Sequence, residues 1–336
     1  DMLPEGERWE DINAPDPGWP PRNASARAAL PGYRAAFGDQ VQERQDGPRH
    51  LVRLQPLSAY RHRFEAPDSF MFVMAEEITD KGGAHINAFN LDVAIRPRGG
   101  ASSAERTRNN LAAVAERRRA AQRPIIAIVN HPNFVWTLKA EEIAAIPDAR
   151  LFEVYNGPRT VHNGGDSVHL STEAMWDVIL TQRHERGEPP IFGVATDDAH
   201  EYRTYSDTIA LPGRGWVMVR ASRLTPEHIL AALGRGEFYG STGVTLRELR
   251  RDERAISLEI EPQPNTTYRT LFIGTRRAGG AAGEVLAEVT GPAARYTFRG
   301  DERYVRATVL SSAPQVDPIS KLVLGRQTAW IQPVMR

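Results

Sequence analysis

The chain has 336 residues, 41% hydrophobic and 25% charged, an ordinary globular composition with length for one large domain and a smaller one. Basic and acidic residues balance at 42 each, so no overall electrostatic case exists for nucleic acid or an anionic membrane. Cysteine is absent, which excludes disulfides, thiolate–zinc sites and a thiol nucleophile, and leaves His, Asp, Glu, Asn and water to hold any metal.

Residues 1–48 are rich in Pro, Gly, Asp and Arg, with one helix-like piece at "SARAALPGYRAAF", and are expected to be loop and short helix packed on a larger body. A strand–helix alternation follows. "FMFVMAEEI" reads as a strand ending in acids and "AHINAFNLD" as another, before a long helix over 103–122. "IIAIV" at 125–129 reads as a buried strand that breaks into the polar turn Asn130-His131-Pro132-Asn133. Then come a short helix "AEEIAAI", a strand "LFEVYNG", and a helix opening on Ser171 and closing on Gly187. "PIFGVATDDAH" and "WVMVRA" are further strands, and "TPEHILAALGRG" is a helix with Thr225 as its cap and Pro226 in its first turn. Alternating β and α pieces predict a parallel sheet closed into a barrel over residues 1–243. After "YGSTG" the pattern changes to short alternating segments separated by turns, which predicts an antiparallel β-sandwich module over 244–336. No apolar run approaches the roughly 18 residues of a membrane span. No secretory leader is visible, and the sequence opens on Asp1, so a cytoplasmic and an exported location both stay open, as does the oligomeric state.

Metal-ligand types gather at the predicted strand ends. Glu77 closes the strand begun at residue 70, His85 opens the next, His131 follows 125–129, and Asp198 and His200 follow 191–195. In a parallel barrel the loops at the C-terminal strand ends share one cavity, and carboxylates with imidazoles there suit Zn²⁺, Mn²⁺ or Fe²⁺. A lone Asp-x-His or His-Pro arises readily by chance; the joint order along successive strands is the stronger signal. The other histidines, His50, His62, His162, His169, His184 and His228, are assigned solvated or capping roles.

The segments "EEITDKGGAHINAFNL", "IVNHPNF", "LFEVYNG", "ATDDAH" and "ALGRGEFYGSTG" resemble, in order, motifs of the polymerase and histidinol phosphatase (PHP) superfamily, over about residues 60–243. The resemblance implies a distorted (β/α)₇ barrel with up to three divalent ions (Mn, Zn or Fe) and hydrolysis of phosphoesters. It implies that Glu77 bridges two metals, His85 and His131 ligate one of them, Asp198 ligates the other, and His200 a third. The family pattern also carries His-x-His and an Asp-His pair upstream of the bridging glutamate. Neither precedes Glu77, and residues 1–60 resemble the insertion that follows the pair, so the barrel's first strands are expected to lie before Asp1.

The leading expectation is a bacterial metal-dependent phosphoesterase that attacks a small phosphoester with a metal-bridged hydroxide. Glu77, Asp198 and His200 are the catalytic candidates. Arg159 and Arg203 are candidates to neutralise phosphate charge, and Asn87, Asn133 and Asn156 to orient ligands or substrate. The alternatives are a binding or scaffold protein on the same fold, and a metal hydrolase acting on a bond other than a phosphoester.

Overall fold

The computed structural model describes residues 8–14, 26–200 and 211–336. The early region is more ordered than a loop. β1 (Trp9–Asp11), helix α1 (Ala26–Phe37), β2 (Glu43–Asp46) and β3 (Arg49–Arg53) form a small unit in which three antiparallel strands, ordered β1-β3-β2, close on Ile12, Leu30 and Val52. The one-turn helix α2 (Leu57–Tyr60) leads into the main body.

The main body holds a five-stranded sheet in the order β4 (Ala75–Thr79), β5 (His85–Phe89), β6 (Ile126–Val129), β7 (Leu151–Asn156), β8 (Phe192–Thr196). Helices α3 (Ser103–Ala121), α4 (Ala140–Ala144) and α5 (Thr172–Glu185) connect these strands. Serines open the two long helices: Ser102 and Ser171 accept the backbone N–H groups of Glu105 and Ala174. Phe152, Val154, Trp176, Ile179 and Leu180 form the centre of the core between the sheet and α5.

Among the described residues the expected barrel does not form: the sheet is open. β4 pairs antiparallel with β5 and β5 antiparallel with β6, leaving only β6-β7-β8 parallel. For β4 and β5 the reason is chain length. Five residues separate Thr79 from His85, and a parallel neighbour needs a crossover of about a dozen or more. The strand expected from residue 70 begins only at Ala75, so Glu77 lies mid-strand rather than at its end. At the other side, β8 does not turn back toward β4. Its Gly193 N–H donates to Gln332 Oε1 at 2.9 Å and its carbonyl accepts from Gln332 Nε2 at 2.7 Å, so a side-chain amide stands where a strand partner would.

Gln332 belongs to the second body of sheet. β9 (Trp216–Val219), helix α6 (Pro226–Gly234) and β10 (Phe238–Ser241) precede β11 (Leu246–Arg251), β12 (Ala255–Ile260), β13 (Tyr268–Arg276), β14 (Glu284–Thr290), β15 (Ala293–Thr297), β16 (Glu302–Val316) and β17 (Val323–Met335). They form a six-stranded antiparallel sheet, β14-β13-β16-β17-β10-β9, and a three-stranded one, β11-β12-β15, with Ile256, Leu258, Phe272, Val305, Val309 and Ile331 in their shared core. The larger sheet takes β9 and β10 from before residue 243 and its other strands from after it, so hydrogen-bonded pairing runs across that position. Among the described residues no helix is long and apolar enough to cross a membrane.

Candidate metal centre

The reversed strand β5 brings the ligand types together. β4, β6, β7 and β8 point one way and β5 the other, so the start of β5 lies at the same sheet end as the finishes of its neighbours. Glu77 pairs with Asn87 and Thr79 with His85, which makes Glu77 and His85 diagonal neighbours on one face. The Asp80 carboxylate holds the turn between them, accepting from the N–H of Lys81 at 2.7 Å, the N–H of Gly99 at 3.0 Å and the amide of Asn110 at 3.1 Å.

Glu77 Oε1 lies 2.8 Å from His85 Nδ1 and 3.9 Å from His131 Nε2. The two imidazole rings stand edge to face with centroids 5.0 Å apart, and Phe134 lies 5.2 Å from the His131 ring. One ligand atom from each of the three side chains falls within 4.8 Å of the others. Ligands on one ion with bonds of about 2.1 Å sit no more than about 4.2 Å apart, so the measured Glu77 separations suit a single ion. The donor set, one carboxylate and two imidazoles, is that of Zn²⁺, Mn²⁺ or Fe²⁺. Side-chain exposure falls from 29% at Glu77 through 19% at His85 to 5% at His131, so the cluster opens to solvent on the β4–β5 side.

Burial works against the charge on Glu77, but the facing imidazoles of His131 and His85 outweigh it and hold the carboxyl well below the usual range. Burial likewise opposes the imidazolium of His131, and Glu77, Glu153 and Asp198 together raise its pKa.

Beneath the cluster lies a second carboxylate that the sequence reading passed over. Glu153 is fully buried in β7, between Phe152 and Val154. Its Oε2 accepts the backbone N–H of His131 at 2.6 Å and the Asn156 amide at 2.7 Å; its Oε1 accepts the Thr196 hydroxyl at 2.8 Å. Burial first, then the nearby Asp198 charge, pushes its pKa up to about 7 against the opposing pull of His131. The β7–β8 ladder shifts register between Glu153 and Tyr155, and such bulges re-aim side chains near functional sites. A carboxylate inside the otherwise apolar run "LFEV" was the available signal.

Asp198 reaches the same network, its Oδ2 accepting from Asn156 Nδ2 at 3.3 Å, but it is not among the three clustered ligands. His200 is exposed and turned onto its own loop, Nδ1 at 2.7 Å from the Asp198 carbonyl oxygen. Asn156 is buried and faces carboxylates, whereas Asn133 donates to the carbonyls of His162 and Leu170 and ties their loop to the His131 turn. Asn87 is held by its backbone N–H, which donates to Asn130 Oδ1 at 3.0 Å. Arg159 is exposed two residues beyond Gly157, and Arg203 lies outside the described residues. His162 and His169, assigned simple solvated roles above, stack on Trp136 with centroids 4.8 and 3.9 Å away, and the exposed Val135 and Leu170 adjoin them in the chain.

His131 and Asp198 both have positive φ, 20° and 47°, a conformation non-glycine residues adopt rarely and mostly where surrounding structure enforces it. Gly157 packs against the Asp197-Asp198 stretch: a Cβ there would sit 2.6 Å from the Asp197 carbonyl oxygen. Comparison of the chain with known protein families, with curated proteins and with solved structures finds no match.

Proposed function

We propose that the protein is a metal-dependent hydrolase of small phosphoesters, with an ion held by Glu77, His85 and His131. The observation that carries this reading is the convergence of those three ligand atoms within 4.8 Å at one sheet end, from three different strands or strand ends. The motif resemblance to the PHP superfamily supports the reaction class, because four of its five segments lie on β4 to β8 and the turns that follow them.

A bound divalent ion would supply Lewis-acid polarisation of a phosphoryl oxygen and acidify a water. The protein's part is to hold ligands and substrate. Glu77 supplies a charged ligand at any pH above the acid range, since its neighbours keep it ionised. His131 is fixed through its backbone, and Asn156 aligns Asp198 toward the same site. Arg159, at the same end of β7, is the basic side chain assigned to meet the phosphate.

Metal content of the purified protein, together with hydrolysis of p-nitrophenyl phosphate and bis(p-nitrophenyl) phosphate with added Mn²⁺ or Zn²⁺, tests the proposal. Near-stoichiometric metal, lost in Glu77→Gln and His131→Ala, with metal-dependent turnover supports it. Stoichiometric metal without turnover on either ester would favour a binding protein, and turnover of amide or carboxyl esters alone would favour the other hydrolase reading. Absence of metal would end the proposal.

A further inference from the structure

We infer that Glu153 is a positioning residue of the metal centre: its buried carboxylate sets the backbone of His131 and, through Asn156, the direction of Asp198. This rests on the metal-centre reading above.

Strand packing alone does not call for a carboxylate here. The flanking residues Phe152 and Val154 are buried and apolar, and a leucine would fill the position without removing a charge from water. The carboxylate instead collects donors from three pieces of chain. The His131 N–H comes from beyond the end of β6, the Asn156 amide from β7 itself, and the Thr196 hydroxyl from the end of β8. The three bonds measure 2.6 to 2.8 Å.

The first of these bonds bears directly on a ligand. By strand alternation Asn130, not His131, shares the face of His85, yet the His131 ring stands beside the His85 ring. The turn at positive φ re-aims it, and that φ also sets where the His131 N–H points. It points at Glu153. A carboxylate accepting that N–H therefore stabilises the one backbone arrangement that brings the imidazole to Glu77. The second bond carries the effect across the sheet. Asn156 Nδ2 contacts Glu153 Oε2 at 2.7 Å and Asp198 Oδ2 at 3.3 Å, so one amide spaces two carboxylates and fixes where Asp198 can lie. Residues that orient metal ligands in this way typically contribute about 10- to 100-fold in metal affinity.

The test compares wild type, Glu153→Gln, Glu153→Leu and Thr196→Val in the full chain. Readouts are Co²⁺ affinity by competition with a chromophoric chelator, the visible Co²⁺ spectrum, and the melting curve of each metal-free protein. Glutamine keeps the hydrogen bonds, its carbonyl accepting from His131 and Asn156 and its amide donating to the Thr196 hydroxyl. Glu153→Gln is therefore expected within about threefold of wild-type affinity, with an unchanged spectrum. Glu153→Leu is expected to lose about 10- to 100-fold, with shifted bands, while still melting cooperatively. If Glu153→Leu does not fold, Thr196→Val carries the test, with an expected loss of about fivefold for one bond to the carboxylate. Leucine binding Co²⁺ as wild type does, or glutamine losing as much as leucine, overturns the inference while leaving the metal centre standing. A wild-type protein that takes up no Co²⁺ overturns the metal-centre reading and this inference with it.

Discussion

Replacing Arg306 with methionine removes a buried charge that joins α5 to the large antiparallel sheet. In the native protein Arg306 Nε and Nη2 each donate to an Asp177 carboxylate oxygen at 2.7 Å, and Nη1 donates to Thr308 Oγ1 at 2.9 Å and Glu173 Oε2 at 3.2 Å. The guanidinium also stands 5.0 Å from the Trp176 ring centroid. Side-chain exposure is 1% for Arg306 and 6% for Asp177, so neither charge has water to fall back on. Burial opposes the arginine's charge, but Asp177 more than offsets it and raises the pKa. In Arg306→Met the carboxylate keeps only the Tyr304 hydroxyl, at 2.9 Å, of its side-chain donors. Breaking a buried pair from one side costs about 3–5 kcal/mol, a large fraction of the roughly 5–15 kcal/mol of a typical domain. The double variant Asp177→Leu/Arg306→Met removes both charges and is expected to recover most of that loss. Urea unfolding followed by circular dichroism and tryptophan fluorescence measures all three proteins. A single variant within 1 kcal/mol of wild type, by the roughly 0.5 kcal/mol scale of ordinary surface changes, would refute the reasoning, as would a double variant no better than the single.

Gly283 approaches the same carboxylate at φ 74°, and a Cβ there would lie 2.3 Å from Asp177 Oδ2, so Gly283→Ala is expected to cost more than the ~1 kcal/mol of the backbone alone; an unchanged melting temperature would contradict this. Arg214 and Asp317 are both fully buried and paired at 2.6 Å, with Gly213 N–H also donating to Asp197 at 2.8 Å, so Asp317→Asn should destabilise by about 3 kcal/mol in urea, and a neutral result would count against the pair. For the metal-free protein, Glu153 titrates near 7 in the fold against about 4.5 ordinarily, so its contribution is fully present below pH 4.5 and lost as pH rises through 7. That gap is worth on the order of 3 kcal/mol, and the raised pKa of His131 acts in the same direction, favouring stability below its ordinary 6.5. Unfolding free energies at pH 5 and pH 8 should therefore differ more in wild type than in Glu153→Gln; parallel pH profiles would rule this out. Glu77 has the opposite sign, its lowered pKa giving stability that is present above about 4.5 and lost in acid, so Glu77→Gln should flatten the acid limb of the same curves.

Much of this arrangement could be read in the residues. Apolar runs ending in polar turns placed β6, β7 and β8, the serine at 171 placed the start of α5, and the order Glu77, His85, His131 marked where ligand types accumulate. Periodicity reports which side of a segment is buried, because burial is a property of the segment itself. It does not report which segment lies alongside, since pairing is decided by non-local contacts and by connection length. That is why the barrel expectation failed at a five-residue link between β4 and β5, although the link was there to be counted. Glu153 needed three donors from three separate stretches of chain to become more than an isolated acid in an apolar strand. The direction of the His131 ring hangs on one backbone torsion beyond the end of β6, where alternation no longer applies. The edge of β8 was settled by Gln332, distant by 139 residues, because a side-chain amide can satisfy a strand's N–H and carbonyl without any strand pattern announcing it.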